Sequence, residues 1–362
     1  MSAASIGLPE VIAGLIILAL NAYALLGGGD FGGGVWDLLA SGPRKEEQRE
    51  LIADSIAPIW EANHVWLIIV VVMLFTAFPS AFSTIGIVLH IPISLILIGI
   101  VMRGSAFVFR SYGSRTKERR RTWGLAFAIA STIAPLLLGA VIGAIASGAV
   151  GRASERIGNA SFAEVFIAPW TSPFAIAVGV FALALFAFLA AVYATVAAQT
   201  EELRDEFRKR ALIVAVILFV VALLTLVASR DVPVAASVLA STWSIPLHIV
   251  TGLAALTAIA ALWTRRYRVA RLAAALQVSC IIWGWAFAQF PFVIPTSDPD
   301  AVVPGSGALG LTIRAAAAPR ATLDLLLIGL IVGAIVLIPS LVYLYRTFTR
   351  SPLTDQGAHG AE

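Results

Sequence analysis

A carboxylate, an amide and an imidazole (Glu61, Asn63 and His64) open an otherwise apolar run in the segment Asp54-Ser-Ile-Ala-Pro-Ile-Trp-Glu-Ala-Asn-His-Val-Trp-Leu-Ile68. An ionisable group at lipid depth costs about 3 kcal/mol or more on insertion scales, so such a group is read first as functional. Glu61 and His64 stand at i, i+3 and project from one side of a helix, and Trp60 is related to His64 by i, i+4. A carboxyl and an imidazole at this spacing can pass a proton. The alternative is a static network in which Arg103 neutralises one acid and the remaining groups hydrogen-bond. The two readings are compatible.

A second unusual run is Leu25-Leu-Gly-Gly-Gly-Asp-Phe-Gly-Gly-Gly-Val-Trp-Asp37, which places Asp30 among six glycines. Small residues let membrane helices approach closely, and glycine can also permit a break that exposes backbone groups. A phosphate cradle is a poor reading, because no strand–loop–helix context and no following lysine accompany the glycines. Close packing against a helix or a cofactor is the expectation. His90 and His248, beside prolines in His90-Ile-Pro92 and Pro246-Leu-His248, have the chemistry of haem ligands, although a lone membrane histidine is more often a hydrogen-bonded packing residue. Cys280 reads as a small buried hydrophobe without a CxxC partner. Trp283, Trp285 and Gln289 end a span as interface anchors, with quinone stacking the weaker reading. The basic tract 115–121 reads as a topology determinant near anionic lipid rather than a nucleic-acid patch, and His359 falls in a polar tail.

These groups sit on membrane helices. Of 362 residues, 59% are hydrophobic and only 13% charged, against about 25% charged in a soluble protein. Apolar runs of about 20 residues give nine spans at approximately 9–39, 57–78, 81–109, 122–149, 170–198, 211–229, 244–263, 269–293 and 321–345. Alternate connections should then be rich in Lys and Arg. One side receives 19 of the 25 basic residues and the other five, with Arg103 alone inside the third span. The N-terminus is therefore expected outside and the C-terminus in the cytoplasm. No Lys or Arg precedes Arg44, so the first helix is not expected to be a cleaved signal peptide.

The expected fold is an all-α integral membrane protein of nine transmembrane helices. A faint repeat suggests two four-helix units, 1–150 and 169–293, and a ninth peripheral helix, 321–346. Together they form one membrane domain over 1–350, followed by a polar tail, 351–362. The stretch from Ile294 to Pro319 reads as an outer loop. On this topology Asp30 lies in the inner third of span one and Asp37 at the inner surface. Glu61 and His64 occupy the first two turns of span two, and Arg103 lies about two turns from the inner end of span three. The acids, the imidazole and the cation thus share one depth on the cytoplasmic side. Nothing marks a soluble domain, a nucleotide loop or a zinc site. A secondary transporter with a buried Asp/Glu/Arg site is a rival reading, since Gly-rich helices and repeats are transporter signs too. Against it, spans five to eight carry almost no ionisable group at lipid depth. A third reading is a scaffold whose acids only specify packing.

The chain resembles subunit II of the cytochrome bd-type quinol oxidases. The resemblance rests on Gly29-Asp-Phe-Gly-Gly-Gly34, the 54–68 segment, Phe78-Pro79, Arg103 and Phe290-Pro-Phe-Val-Ile-Pro-Thr-Ser297, which occur in the family's order across essentially the whole chain. It implies a subunit of a bacterial inner-membrane terminal oxidase that couples quinol oxidation to reduction of dioxygen to water. Haem b and haem d type centres would belong to a larger partner, subunit I, with none bound by this chain. Membrane lipid and quinone would be further contacts, accessory small subunits are left open, and nucleic acid is not implied. By position, Glu61 would be the proton carrier, Trp60 would face the partner's cofactor region, Arg103 would pair a buried carboxylate or propionate, and Asp30 matches the acid of the Gly-rich helix. Glu61 stands where some members have Asp, and His64 where some have Gln, which adds an imidazole near the path.

Overall fold

The computed structural model describes residues 6–56, 60–110, 116–230, 232, 241–296 and 310–349, with the backbone alone at residues 117, 120, 348 and 349. Residues 57–59 of the second-span motif, part of the tract 115–121 (Arg115 and the side chains at 117 and 120), 297–309 of the outer loop, and the tail with His359 lie outside what is described. Among the described residues, nine helices are long and apolar enough to cross a membrane. In chain order the helices are α1 (Leu8–Leu38), α2 (Lys45–Ile56), α3 (Trp60–Ala77), α4 (Pro79–Val88), α5 (His90–Val108), α6 (Lys117–Ala146), the short α7 (Ala149–Glu155), α8 (Phe162–Phe166) and α9 (Ala168–Thr171), α10 (Pro173–Ala197), α11 (Glu201–Ala228), α12 (Ser244–Trp263), α13 (Tyr267–Gln289), the short α14 (Ile313–Ala316) and α15 (Arg320–Thr349). One small antiparallel ladder, β1 (Phe292–Pro295) with β2 (Gly310–Thr312), uses both ends of the stretch read as an outer loop.

The helices differ from the apolar runs where polar or proline-bearing sequence decides the ends. The run at 81–109 is divided: Pro79 starts α4, and the chain turns at Leu89 before α5, whose first turn tolerates Pro92 because its amide has no partner there. The charged connections are helical as well. α2 occupies most of the first, and α11 begins at Glu201, where the Thr200 hydroxyl caps the Leu203 amide and Glu201 and Glu202 face the positive end of the helix dipole.

α10 lies at the centre. Residues 184–192 are buried on every side, as expected for a helix that is apolar all round. α10 packs on α1, α6, α11 and α13; α1 also packs on α3, α6 and α13; α5 packs on α6, and α12 on α13. Close approach between α1 and α10 depends on Gly32, where a Cβ would collide with the Phe186 carbonyl and the Ala190 methyl. Gly139 does the same for α6 and α10, where a Cβ would stand 2.7 Å from Val178 O. Trp36 Nε1 donates to Ala187 O at 2.8 Å and fixes the end of α1 on α10. Beyond it, Glu206 on α11 accepts from Arg44 Nε at 2.9 Å and from Gln48 Nε2 at 2.7 Å, clamping α2 to α11. α15 lies against α3 and α1, and most of its apolar surface is exposed.

Candidate functional site

The glycines around Asp30 let three elements close on α1 there. A Cβ at Gly28 would meet the Phe186 ring at 2.8 Å, one at Gly29 the Tyr193 ring at 2.9 Å, and one at Gly33 the Ile56 side chain at 2.8 Å. At Gly34 it would overlap Ser131. α10, α2 and α6 therefore pack directly on the α1 backbone, and Asp30 is only 4% exposed. Its Oδ2 accepts a hydrogen bond from Asn63 Nδ2 at 2.5 Å, and Asn63, on α3, is fully buried. Asn63 Oδ1 in turn accepts from the phenol of Tyr345 on α15 at 2.7 Å. Three helices thus meet in one hydrogen-bonded chain.

Arg103, 1% exposed, comes from α5. Its Nε donates to Ser131 Oγ at 3.1 Å, and the guanidinium carbon lies 4.8 Å from the Phe31 ring centre and 5.3 Å from that of Phe127. No carboxylate is within ion-pair distance of it among the described residues. Nη2 is buried and has no hydrogen-bond partner among them. Asp30 and the Tyr23 phenol nevertheless act on Arg103 electrostatically. The cation is thus held by aromatic faces and a hydroxyl while its field reaches the acid.

His64 is half-buried. Its ring centre lies 6.1 Å from Tyr23, 6.2 Å from Phe31 and 6.1 Å from Trp60, and neither ring nitrogen has a partner among the described residues. The Tyr23 hydroxyl is likewise buried and unbonded among them. Trp60 lies over Gly104, where a Cβ would stand 3.0 Å from Cη2, and lines a narrow crevice, too small for a water molecule, with Ile56, Arg103, Gly104, Phe107 and Phe127. Glu61 is placed differently from Asp30. In the first turn of α3 it faces outward and is exposed. Asp37 is buried under Arg110, whose Nη1 donates to Oδ1 at 2.9 Å, with Arg49 Nε at 3.9 Å.

The structure therefore sets His64 and Arg103 against Phe31, beside Asp30, places Trp60 against His64, and leaves Glu61 on the surface of this chain. In the sequence Asn63 stands out only as a polar residue in an apolar run; the structure makes it Asp30's partner. Ser131 and Tyr345 carried no sequence signal that separates them from ordinary helix residues. The histidines read as haem-ligand alternatives are engaged locally. His90 Nδ1 lies 2.9 Å from Ile87 O with its ring on Phe166, and His248 Nδ1 lies 2.7 Å from Ser244 O. Among the described residues no three His, Cys, Asp or Glu side chains converge as metal ligands. Around Asp30 the polar groups are Asn63, Arg103, Ser131 and His64. They can hold a charge in a dry interior and present one carboxyl, with its orientation fixed, for protonation.

The profile of the family described as Cytochrome bd terminal oxidase subunit II matches residues 8–348. Among similar proteins, a putative cytochrome bd menaquinol oxidase subunit II of Bacillus subtilis (strain 168) is 29% identical over 209 residues, covering 58% of this chain and 59% of that relative. The cytochrome bd-I ubiquinol oxidase subunit 2 of Escherichia coli (strain K12) is 29% identical over 134 residues, covering 37% of this chain and 35% of that one. The matched stretches thus span less than two thirds of either relative's length. A chain in the structure of the bd oxidase from Geobacillus thermodenitrificans superposes with a TM-score of 0.73 at 20% identity, covering 94% of this chain and 98% of that one. That likeness establishes the fold.

Proposed function

This chain belongs to the cytochrome bd terminal oxidase subunit II family, and from that membership we propose that it is the second subunit of a quinol:oxygen oxidoreductase in a bacterial cytoplasmic membrane. Its partner is a haem-bearing subunit I, which also holds the quinol. When bound there, haem supplies the redox chemistry that reduces dioxygen to water. This chain's own contribution is structural and protonic.

Reduction of dioxygen consumes a proton for each electron, and the protons must cross low-dielectric protein. Asp30 is the group in this chain that accepts one. Asn63 holds its Oδ2, Arg103 stabilises charge nearby through its field, and His64, beside Phe31 and Trp60, is a further titratable group on the same side. Glu61, exposed one turn from Asn63, is where the route leaves this chain for the partner. Moving one charge across the membrane potential is worth about 2.3 kcal/mol per 100 mV, which is how proton uptake from one side conserves energy. The basic residues crowd on one set of connections, supporting an outside N-terminus and a cytoplasmic C-terminus, with Asp30 on the cytoplasmic side.

The helix contacts support an organisation as two four-helix units (1–150 and 169–293) with a peripheral ninth helix (321–346). Matching α1 with α10, α3 with α11, α5 with α12 and α6 with α13 carries the main contacts of one unit onto those of the other, and α1 on α10 onto itself. The observation that carries the functional reading is the fully enclosed Asp30–Asn63 pair, because a carboxyl excluded from water and held by an oriented amide is costly unless used. Purification of the tagged chain from its own membranes in mild detergent tests it. A larger haem-bearing subunit should co-elute with quinol-dependent oxygen uptake. A solitary chain without haem would overturn it.

A further inference from the structure

We propose that Tyr345, on the ninth long helix, is a positioning residue for Asp30, acting through Asn63. The inference deepens the functional reading above and rests on it for its effect on turnover. The phenol oxygen lies 2.7 Å from Asn63 Oδ1, and Asn63 Nδ2 lies 2.5 Å from Asp30 Oδ2. The polarity of this chain follows from the groups themselves. An ionised carboxylate only accepts, so the amide must turn its NH₂ toward Asp30; its oxygen is then left facing the phenol, which donates. While Asp30 is ionised this orientation satisfies all three groups: the carboxylate sets it, and the phenol, which can accept as well as donate, holds it by donating to the amide oxygen. Asn63 is a neutral amide that takes up no proton in the working range, so the chain orients the acid rather than relaying protons to it.

The placement of Tyr345 is unusual for its helix. α15 exposes Leu325, Ile328, Ile335 and Val336 by more than half, and its apolar contacts with the body gather at the other end, around Leu323, Leu326 and Leu330. A tyrosine near the end of such a helix ordinarily anchors in the headgroup region. Here it turns inward to a residue with no exposure at all. Hydrogen bonds in series polarise one another, so the phenol on the amide oxygen strengthens the N–H bond to the carboxylate. Among the described residues the ionisable groups that act on Asp30 are Tyr23 on α1, Arg103 on α5 and Tyr345 on α15, with His64 on α3 beyond them against Tyr23 and Phe31. Only Tyr345 reaches it through Asn63.

The test is made in the whole oxidase complex. Infrared difference spectra first locate the Asp30 carboxyl band by its loss in Asp30→Asn. Tyr345→Phe, which keeps the ring, should displace that band, lower turnover about fivefold with an altered pH profile at unchanged haem content, and add no further loss in the Asp30→Asn background. 3-Fluorotyrosine introduced at position 345 strengthens the same donor without removing it and should move the band the opposite way, which keeps the idea testable even where Tyr345→Phe assembles poorly. A band that stays in place in both proteins, or losses that multiply in the double variant, overturns the proposal. Full turnover in Asp30→Asn with the band still responding to position 345 would overturn the proton-route reading and uphold the positioning one.

Discussion

Arg103 offers the sharpest stability prediction, because its surroundings separate charge from packing. The side chain is 1% exposed, bonded to Ser131 Oγ at 3.1 Å and set between rings at 4.8 and 5.3 Å. Replacement by Met nearly conserves volume, so the void left is small. It removes one charged hydrogen bond, worth about 1.5–3 kcal/mol, and two desolvated cation–π contacts, each about 2 kcal/mol. Against these stands the desolvation of a buried guanidinium, several kcal/mol, which the neutral side chain no longer incurs. These terms nearly cancel if Arg103 merely fills space. If its field compensates Asp30, the substitution also strands a buried carboxylate, and breaking such a relation costs about 3 kcal/mol. Arg103→Met should therefore lower the temperature of haem loss from the purified complex by several degrees, and Asp30→Asn should restore most of that loss in the double variant. A single variant as stable as the parent, or a double variant no better than the single, would refute the compensation argument.

Two further outcomes follow from the geometry. Glu61→Gln should lower oxygen reduction on an oxygen electrode while leaving assembly and haem content nearly intact, since Glu61 is exposed on this chain and anchors nothing in its core; unchanged turnover removes it from the route. Gly32→Ala should cut the yield of folded complex, because the added methyl meets the Phe186 carbonyl, and overpacking of this kind costs about 1–3 kcal/mol. Gly14→Ala on the same helix, where a Cβ meets nothing within 4 Å, should be tolerated, and equal losses at both positions would refute the packing account.

Much of the fold is legible in the sequence because lipid imposes one rule, that each crossing be a long apolar helix, and nine such runs stand out. What hydropathy does not register is polar helix. The segment that becomes α2 and the first turns of α11 are charged, and their helicity follows from capping and from the Gln48–Glu206–Arg44 clamp. Within the candidate site, residue types and spacing draw attention to Asp30, His64, Arg103 and Trp60, which the fold sets near one another, but not to the direction each side chain takes. Glu61 and His64 share a side of α3 by spacing, yet Glu61 is exposed while His64 is half-buried against aromatic rings. Arg103 reads as a partner for an acid, whereas Phe31 and Phe127 hold it, and stacking on rings from other helices leaves no mark in sequence separation. Tyr345 has the profile of an interface anchor, and only the tertiary arrangement shows its phenol on Asn63.

The central claim, that the enclosed carboxyl of Asp30 carries protons for chemistry housed in the partner subunit, is tested most directly by electrometry. Charge movement across proteoliposomes holding the intact complex would be followed in time after oxygen is admitted, with the parent compared to Asp30→Asn. The account predicts that the variant retains its haems and electron transfer from quinol but loses or markedly slows the charge-moving phase that accompanies proton uptake. An undiminished phase at the parent's rate would contradict it.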